Sequence, residues 1–203
     1  MMINRRRFCG GKSLPYDAEV EYLGSDGYAY IDTGVLNTYN IRVELDFSLL
    51  KGNIGTWIYG ARVGFGKSSN TLFLDKISGF EWRYGTDTIS SEKGGAGHFV
   101  ASNLDNANIM TISGDLSLSL TAQTSSFITS LPIYIFALNN NSQASSATGN
   151  ICSIKYFKMY NGATLVRDYV PVRVGQVGYM YDKVTKQLFG NARTGSFILG
   201  PDV

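Results

Sequence analysis

The segment Ile41-Arg42-Val43-Glu44-Leu45-Asp46-Phe47-Ser48-Leu49 places an apolar residue at every odd position and a polar one at every even position. A period of two sends alternate side chains to opposite faces of an extended chain, so this segment reads as a strand with one buried and one wet face. An antiparallel sheet covered on one side accommodates that pattern; a helix does not. Turn-forming and ring-bearing residues extend the argument to the whole chain. With 23 glycines, 13 tyrosines and 11 phenylalanines among 203 residues, the composition favours short aromatic-rich strands joined by tight turns.

Further strands are expected at Gly55 to Val63 and Thr71 to Leu74, joined as a hairpin through Gly64-Phe65-Gly66-Lys67-Ser68-Ser69-Asn70. Phe80-Glu81-Trp82-Arg83-Tyr84 alternates rings with charges, and the polar, glycine-rich span from Gly85 to Gly97 reads as a long loop. Strands resume at His98 to Ala101, Asn108 to Ile112 and Leu116 to Leu120. Leu131 to Leu138 is almost wholly apolar, as for a strand buried on both faces, and Asn139 to Asn150 reads as a mobile surface loop. Ile151 to Tyr160, Thr164 to Val172 and Gly178 to Tyr181 complete the set, with Asn161-Gly162 turning the first into the second. Many short strands without α-crossovers predict an all-β, two-sheet antiparallel sandwich of jelly-roll type.

Charge divides the chain unevenly. Four of the 18 Lys and Arg residues (Arg5, Arg6, Arg7 and Lys12) fall within the first twelve positions, which contain none of the 16 acids. The remainder is close to neutral, which argues against a nucleic-acid-binding body. Cys9 and Cys152 are too few for a disulfide framework and read as free thiols. Phe8-Cys9-Gly10-Gly11 after the arginines lacks the apolar core of a secretory signal, and no stretch is long and apolar enough to span a bilayer. A product made in the cytoplasm, without membrane partners, is the expectation.

Several segments together resemble one family. They are Glu21-Tyr22-Leu23, Tyr30-Ile31-Asp32-Thr33-Gly34, the run Gly162 to Val172 with Arg167-Asp168-Tyr169-Val170-Pro171, Gly178-Tyr179-Met180-Tyr181-Asp182-Lys183, and Asn191-Ala192-Arg193-Thr194-Gly195-Ser196-Phe197. The chain resembles the concanavalin-A-like (laminin-G-like) sandwich domains of phages and prophages of Bacteroidetes-type gut bacteria. The similarity spans residues 19–203 in outline and is densest over the last 45 or so. Met2 to Phe8 and Lys12 to Ala18 look like the leader that precedes such domains. The resemblance implies an N-terminal arm at 1–18 and a concanavalin-A-like domain at 19–203. It also implies a non-enzymatic virion protein, made in the bacterial cytoplasm and carried on head or tail as a decoration or fibre component. Within that reading, Arg5, Arg6, Arg7 and Phe8 fix the arm to another virion protein through carboxylate contacts and an apolar anchor. Oligomeric state stays open, although virion appendages commonly use cyclic symmetry.

Reactive constellations fail one by one. Sandwich glycoside hydrolases carry Glu-x-Asp-x-(x)-Glu on one strand, but after Glu44 and Asp46 the acid/base position is Ser48 or Leu49, so the two carboxylates read as a solvated strand face. Gly64-Phe65-Gly66-Lys67-Ser68 lacks the first glycine of a phosphate loop, whose place is taken by Ala61. His98 is the only histidine and has no elbow-type serine to serve. Neither cysteine has the spacing of a zinc ligand, and no cofactor is expected. Calcium is the one ion the resemblance leaves open, through Asn103-Leu104-Asp105-Asn106, where a plain Asn/Asp turn explains the same residues.

Glycan binding, on host or mucosal surfaces, remains as an adhesive role that the resemblance suggests. Trp57, Tyr59, Ala61 and Val63 share one strand face, as do Phe80, Trp82 and Tyr84, and faces that apolar belong to a core. The opposite positions, Arg62, Glu81 and Arg83, are the ones expected to meet solvent or a ligand. Tyr28 and Tyr30 are alternative stacking platforms, with core packing as the simpler role. The competing class is a free carbohydrate-binding protein, or a glycoside hydrolase whose site is completed by distant loops.

Overall fold

A computed structural model of the chain describes residues 14–51, 55–64, 66–75, 79–124, 126–145 and 151–203. Strands and turns account for them, with no helix among the described residues. In chain order the strands are β1 (Ala18–Glu19), β2 (Leu23–Ser25), β3 (Ile31–Thr38), β4 (Ile41–Lys51), β5 (Thr56–Arg62), β6 (Ser69–Asp75), β7 (Gly79–Gly85), β8 (Asp87–Ser90), β9 (Gly97–Ser102) and β10 (Ile109–Gly114). They continue with β11 (Leu118–Thr121), β12 (Ile128–Ile135), β13 (Leu138–Asn140), β14 (Gln143–Ser145), β15 (Ile151–Asn161), β16 (Thr164–Val174), β17 (Val177–Asp182), β18 (Gln187–Phe189) and β19 (Ile198–Leu199).

Two sheets pack face to face. The larger runs β11-β10-β9-β4-β15-β16-β17-β18, with β1 on β16, β2 on β15 and β19 on β2. The smaller runs β14-β13-β5-β6-β7-β8, with β12 bridging β5 and β3. Pairing between the named strands is antiparallel except where β13 lies parallel to β5. The alternation at 41–49 is realised in β4, whose odd side chains Ile41, Val43, Leu45, Phe47 and Leu49 are all buried. Between the layers, Phe47 and Phe99 of the larger sheet meet Phe80 of the smaller one edge-on, at centroid distances of 6.2 and 5.0 Å. Tyr59 meets Phe157 in the same way at 5.6 Å. Such ring pairs add about 0.5–1.5 kcal/mol each to the apolar area they bury.

Three expectations are corrected. The span from Gly85 to Gly97 is not one loop: β8 folds back on β7, pairing Arg83 with Thr88 and Trp82 with Ile89. Asp87 secures that strand by accepting hydrogen bonds on Oδ2 from the amides of Gln123 and Thr124 and the Thr124 hydroxyl. Burial would raise the proton affinity of this carboxyl, but the three donors outweigh it and hold the group below the usual carboxylate range.

The stretch from Asn139 to Asn150, expected as a mobile loop, begins inside the β13–β14 hairpin over residues 138–145, while 146–150 lie outside the described residues. The hairpin turn is built by the polar residues themselves: Asn141 and Ser142 adopt φ of 52° and 69°, a conformation that asparagine tolerates. Buried Asn139 donates to Pro132 O and accepts from the Ser142 amide. The apolar run 131–138, expected as one strand, breaks at Phe136, whose φ of 68° turns the chain out of β12 and into β13.

Segments from the two ends of the chain meet. Val20 bridges Asp202, β2 pairs β19, and Arg173 holds the Asp202 carboxylate through Nε and Nη2. Asn191 Oδ1 accepts the amides of Tyr30 and Arg193, and its Nδ2 donates to the carbonyls of Arg193 and Gly195. Gly195 lies so close to this segment that a Cβ would stand 2.5 Å from Tyr28 O.

The turn between β17 and β18 contains a non-glycine residue in the left-handed region, Lys186 at φ 61°. Its side chain is exposed and its amide donates to Asp182 O. Lys186→Gly keeps that hydrogen bond and removes the backbone strain, so it is expected to stabilise the fold by about 0.5–1 kcal/mol, a rise of roughly 1–4 °C in Tm. Calorimetric melting checks this; an unchanged or lower Tm contradicts it.

Candidate functional site

The smaller sheet turns one face toward the core, through Tyr59, Leu72 and Trp82, and the opposite face outward. On the outward face, register places Gly60, Thr71 and Arg83 in one row across β5, β6 and β7, and Trp57, Phe73 and Glu81 in a neighbouring row. Arg62 follows on β5, opposite Asn140 of β13.

Trp57 is there because β5 carries an irregularity between Trp57 and Tyr59. The extra residue of a bulge reverses the facing of everything beyond it, so Trp57 lies outward although Tyr59 and Ala61 are fully buried. This corrects the assignment of Trp57 to the core with Tyr59; Val63, assigned with them, is 38% exposed at the end of the strand. Phe80, Trp82 and Tyr84 are core residues, as expected. Trp57 packs against Phe73 with centroids 4.2 Å apart and ring planes inclined by 36°, and the Arg62 guanidinium lies 5.7 Å from the Trp57 ring centroid. Gly60 between them has no room for a side chain, since a Cβ would stand 2.7 Å from Thr71 Cγ2.

Three of the four residues expected to contact a glycan therefore come together. Arg83 Nε donates to Glu81 Oε1 at 2.6 Å, and Arg62 Nε donates to Asn140 Oδ1 at 3.1 Å. Burial, then the neighbouring Arg83, lowers the proton affinity of Arg62, while Glu81 works in the opposite direction. A guanidinium stays charged through such a shift. Glu81 and Arg83 differ from expectation in one respect: their side chains are only 12% and 13% exposed, and the partly exposed Arg62 and Trp57 stand beside them. Tyr28 lies elsewhere. It is 51% exposed in a turn set by Asp26 Oδ1, packed against the Gly195 segment, and is neither core nor part of this row. Tyr30 stacks on Tyr134, whose Cα pairs with Gly60, and so borders the face. Arg5, Arg6, Arg7 and Phe8 lie outside the described residues, as does Cys9.

The outward face of the larger sheet carries the other cluster of ionisable groups. Glu44 accepts from Lys158 Nζ at 3.1 Å, and Asp46 Oδ1 lies 2.8 Å from His98 Nε2, which places the ring proton on that nitrogen. Each carboxylate expected to be simply solvated thus has a basic partner, with side-chain exposures of 24% and 17%. Burial, then Glu44 and Asp46, pushes the Tyr156 hydroxyl up to about 12, so it stays protonated at neutral pH. Cys152 is buried as a free thiol, and burial raises its proton affinity, which keeps it from acting as a nucleophile.

Metal-ligand chemistry finds little support in the segment Asn103 to Asn106. Asn103 is buried with Oδ1 accepting the Val43 amide and Nδ2 donating to Ala107 O, and Asn106 Oδ1 accepts the Asn108 amide. These oxygens are committed to holding a turn. Among the described residues no group of three or more His, Cys, Asp or Glu side chains is placed to hold a metal ion.

Sequence reasoning missed Trp57 and Phe73. Alternation in Thr71-Leu72-Phe73-Leu74 does put Phe73 opposite the two leucines, but either pair is an acceptable core face, and a bulge has no signature in Thr56-Trp57-Ile58-Tyr59. No protein-family model matches the chain, and no curated protein matches it.

Proposed function

We propose that the protein is a non-enzymatic, concanavalin-A-like jelly-roll domain with an N-terminal arm, carried on a phage particle, which binds glycans on the outward face of its smaller sheet. The observation that carries the binding reading is the partly exposed Trp57–Phe73 ring pair with Arg62 over the indole and the Glu81–Arg83 pair beside it. Rings offer a flat surface to the C–H face of a pyranose, and fixed charged groups beside them orient its hydroxyls. Support for a non-enzymatic role comes from Glu44 and Asp46, each engaged by a basic side chain. The virion setting rests on the similarity of both ends of the chain to phage sandwich domains.

A glycan array probed with the purified protein is the direct test of binding, alongside immunogold labelling of particles. Selective retention on bacterial or mucosal glycans without release of shortened sugars is the expected result. Absence of any retention removes the adhesive reading, turnover removes the non-enzymatic one, and unlabelled particles remove the virion setting.

A further inference from the structure

Two guanidiniums, those of Arg62 and Arg83, feel the carboxylate of Glu81 on this face, and that carboxylate is engaged by Arg83. Arg62 uses Nε on the neutral amide oxygen of Asn140, and its terminal nitrogens make no hydrogen bond among the described residues. Its position is costly, since burial and the neighbouring Arg83 both act against its charge. A ligand carboxylate would offset the repulsion from Arg83, and the planar fork of a guanidinium matches a carboxylate's two oxygens. Because the same guanidinium lies 5.7 Å from the Trp57 ring, a sugar stacked on that ring would hold a ring-borne carboxylate within its reach.

We propose that the outward face of the smaller sheet selects acidic saccharides, with Arg62 receiving the carboxylate of a uronic acid residue whose ring stacks on Trp57. This rests on the glycan-binding reading and adds the class of sugar. Neutral sugars would engage the rings but offer no carboxylate to the terminal nitrogens of Arg62.

Titration calorimetry with a galacturonic acid oligomer and the matching galactose oligomer tests it. The wild type is expected to bind the acidic oligomer about tenfold more tightly, a preference that Arg62→Gln removes and added salt weakens. Arg62→Lys, which keeps the charge but not the fork, should retain part of the preference and serves if the glutamine variant does not fold. Equal affinities for the two oligomers overturn the inference and leave glycan binding standing. Binding of neither oligomer also overturns it, and the array then decides separately whether the face binds glycans.

Discussion

Asp182→Ala is expected to destabilise the fold by about 3–5 kcal/mol, a large share of the 5–15 kcal/mol that holds a typical domain together. The side chain of Asp182 is fully buried at the end of β17. Its carboxylate accepts hydrogen bonds from the amides of Asp168, Val184 and Thr185 and from the Thr185 hydroxyl, and Arg167 Nε lies 3.7 Å away. Removing it strands several donors and a partly buried cation in the same place, and unsatisfied buried groups cost more than the bonds they once made contributed. The damage should spread, because Arg167 Nε also donates to Thr33 O and so ties the β16–β18 region to the N-terminal β3. Urea denaturation of the variant measures the effect. A loss below about 1 kcal/mol would show that water or a rearranged turn replaces the carboxylate at little cost.

Trp57→Ala is expected to weaken glycan binding about 30-fold, the order of effect seen when a tryptophan at the centre of a binding surface is truncated. Stability should change far less than for a core truncation, since the ring is only partly buried and packs on Phe73 and Arg62 at the outer face. The measurement has a convenient optical form. The chain has two tryptophans, and Trp82 is fully buried in the core, so a ligand-induced change in indole fluorescence should come from Trp57 and vanish in the variant. Unchanged affinity in Trp57→Ala would move the binding site away from this face.

Much of the strand pattern was legible from side-chain periodicity. Ile41 to Leu49 and Phe80 to Tyr84 point their apolar residues inward because burying apolar side chains is favourable and burying unpaired charge is costly. The β5–β6 and β15–β16 hairpins were legible for a different reason, the turn preferences of glycine and asparagine. Polar stretches misled: Asp87–Ser90 and the 138–145 hairpin form strands because Asp87, Asn139, Asn141 and Ser142 use their side chains and left-handed backbone angles to make turns and edges. Low hydrophobicity marked these stretches as loops, although what they lack in buried area is offset by hydrogen bonding.

The amino-acid sequence alone determined that the chain folds as strands and turns, and that Arg62, Glu81 and Arg83 stand opposite the core-facing residues of their strands, since strict alternation is a local property. Only the tertiary structure decided that these three charges share one face with Trp57 and Phe73. That grouping depends on strand register and on the bulge at Trp57 in β5, which are set by pairing between strands distant in the chain and leave no local trace.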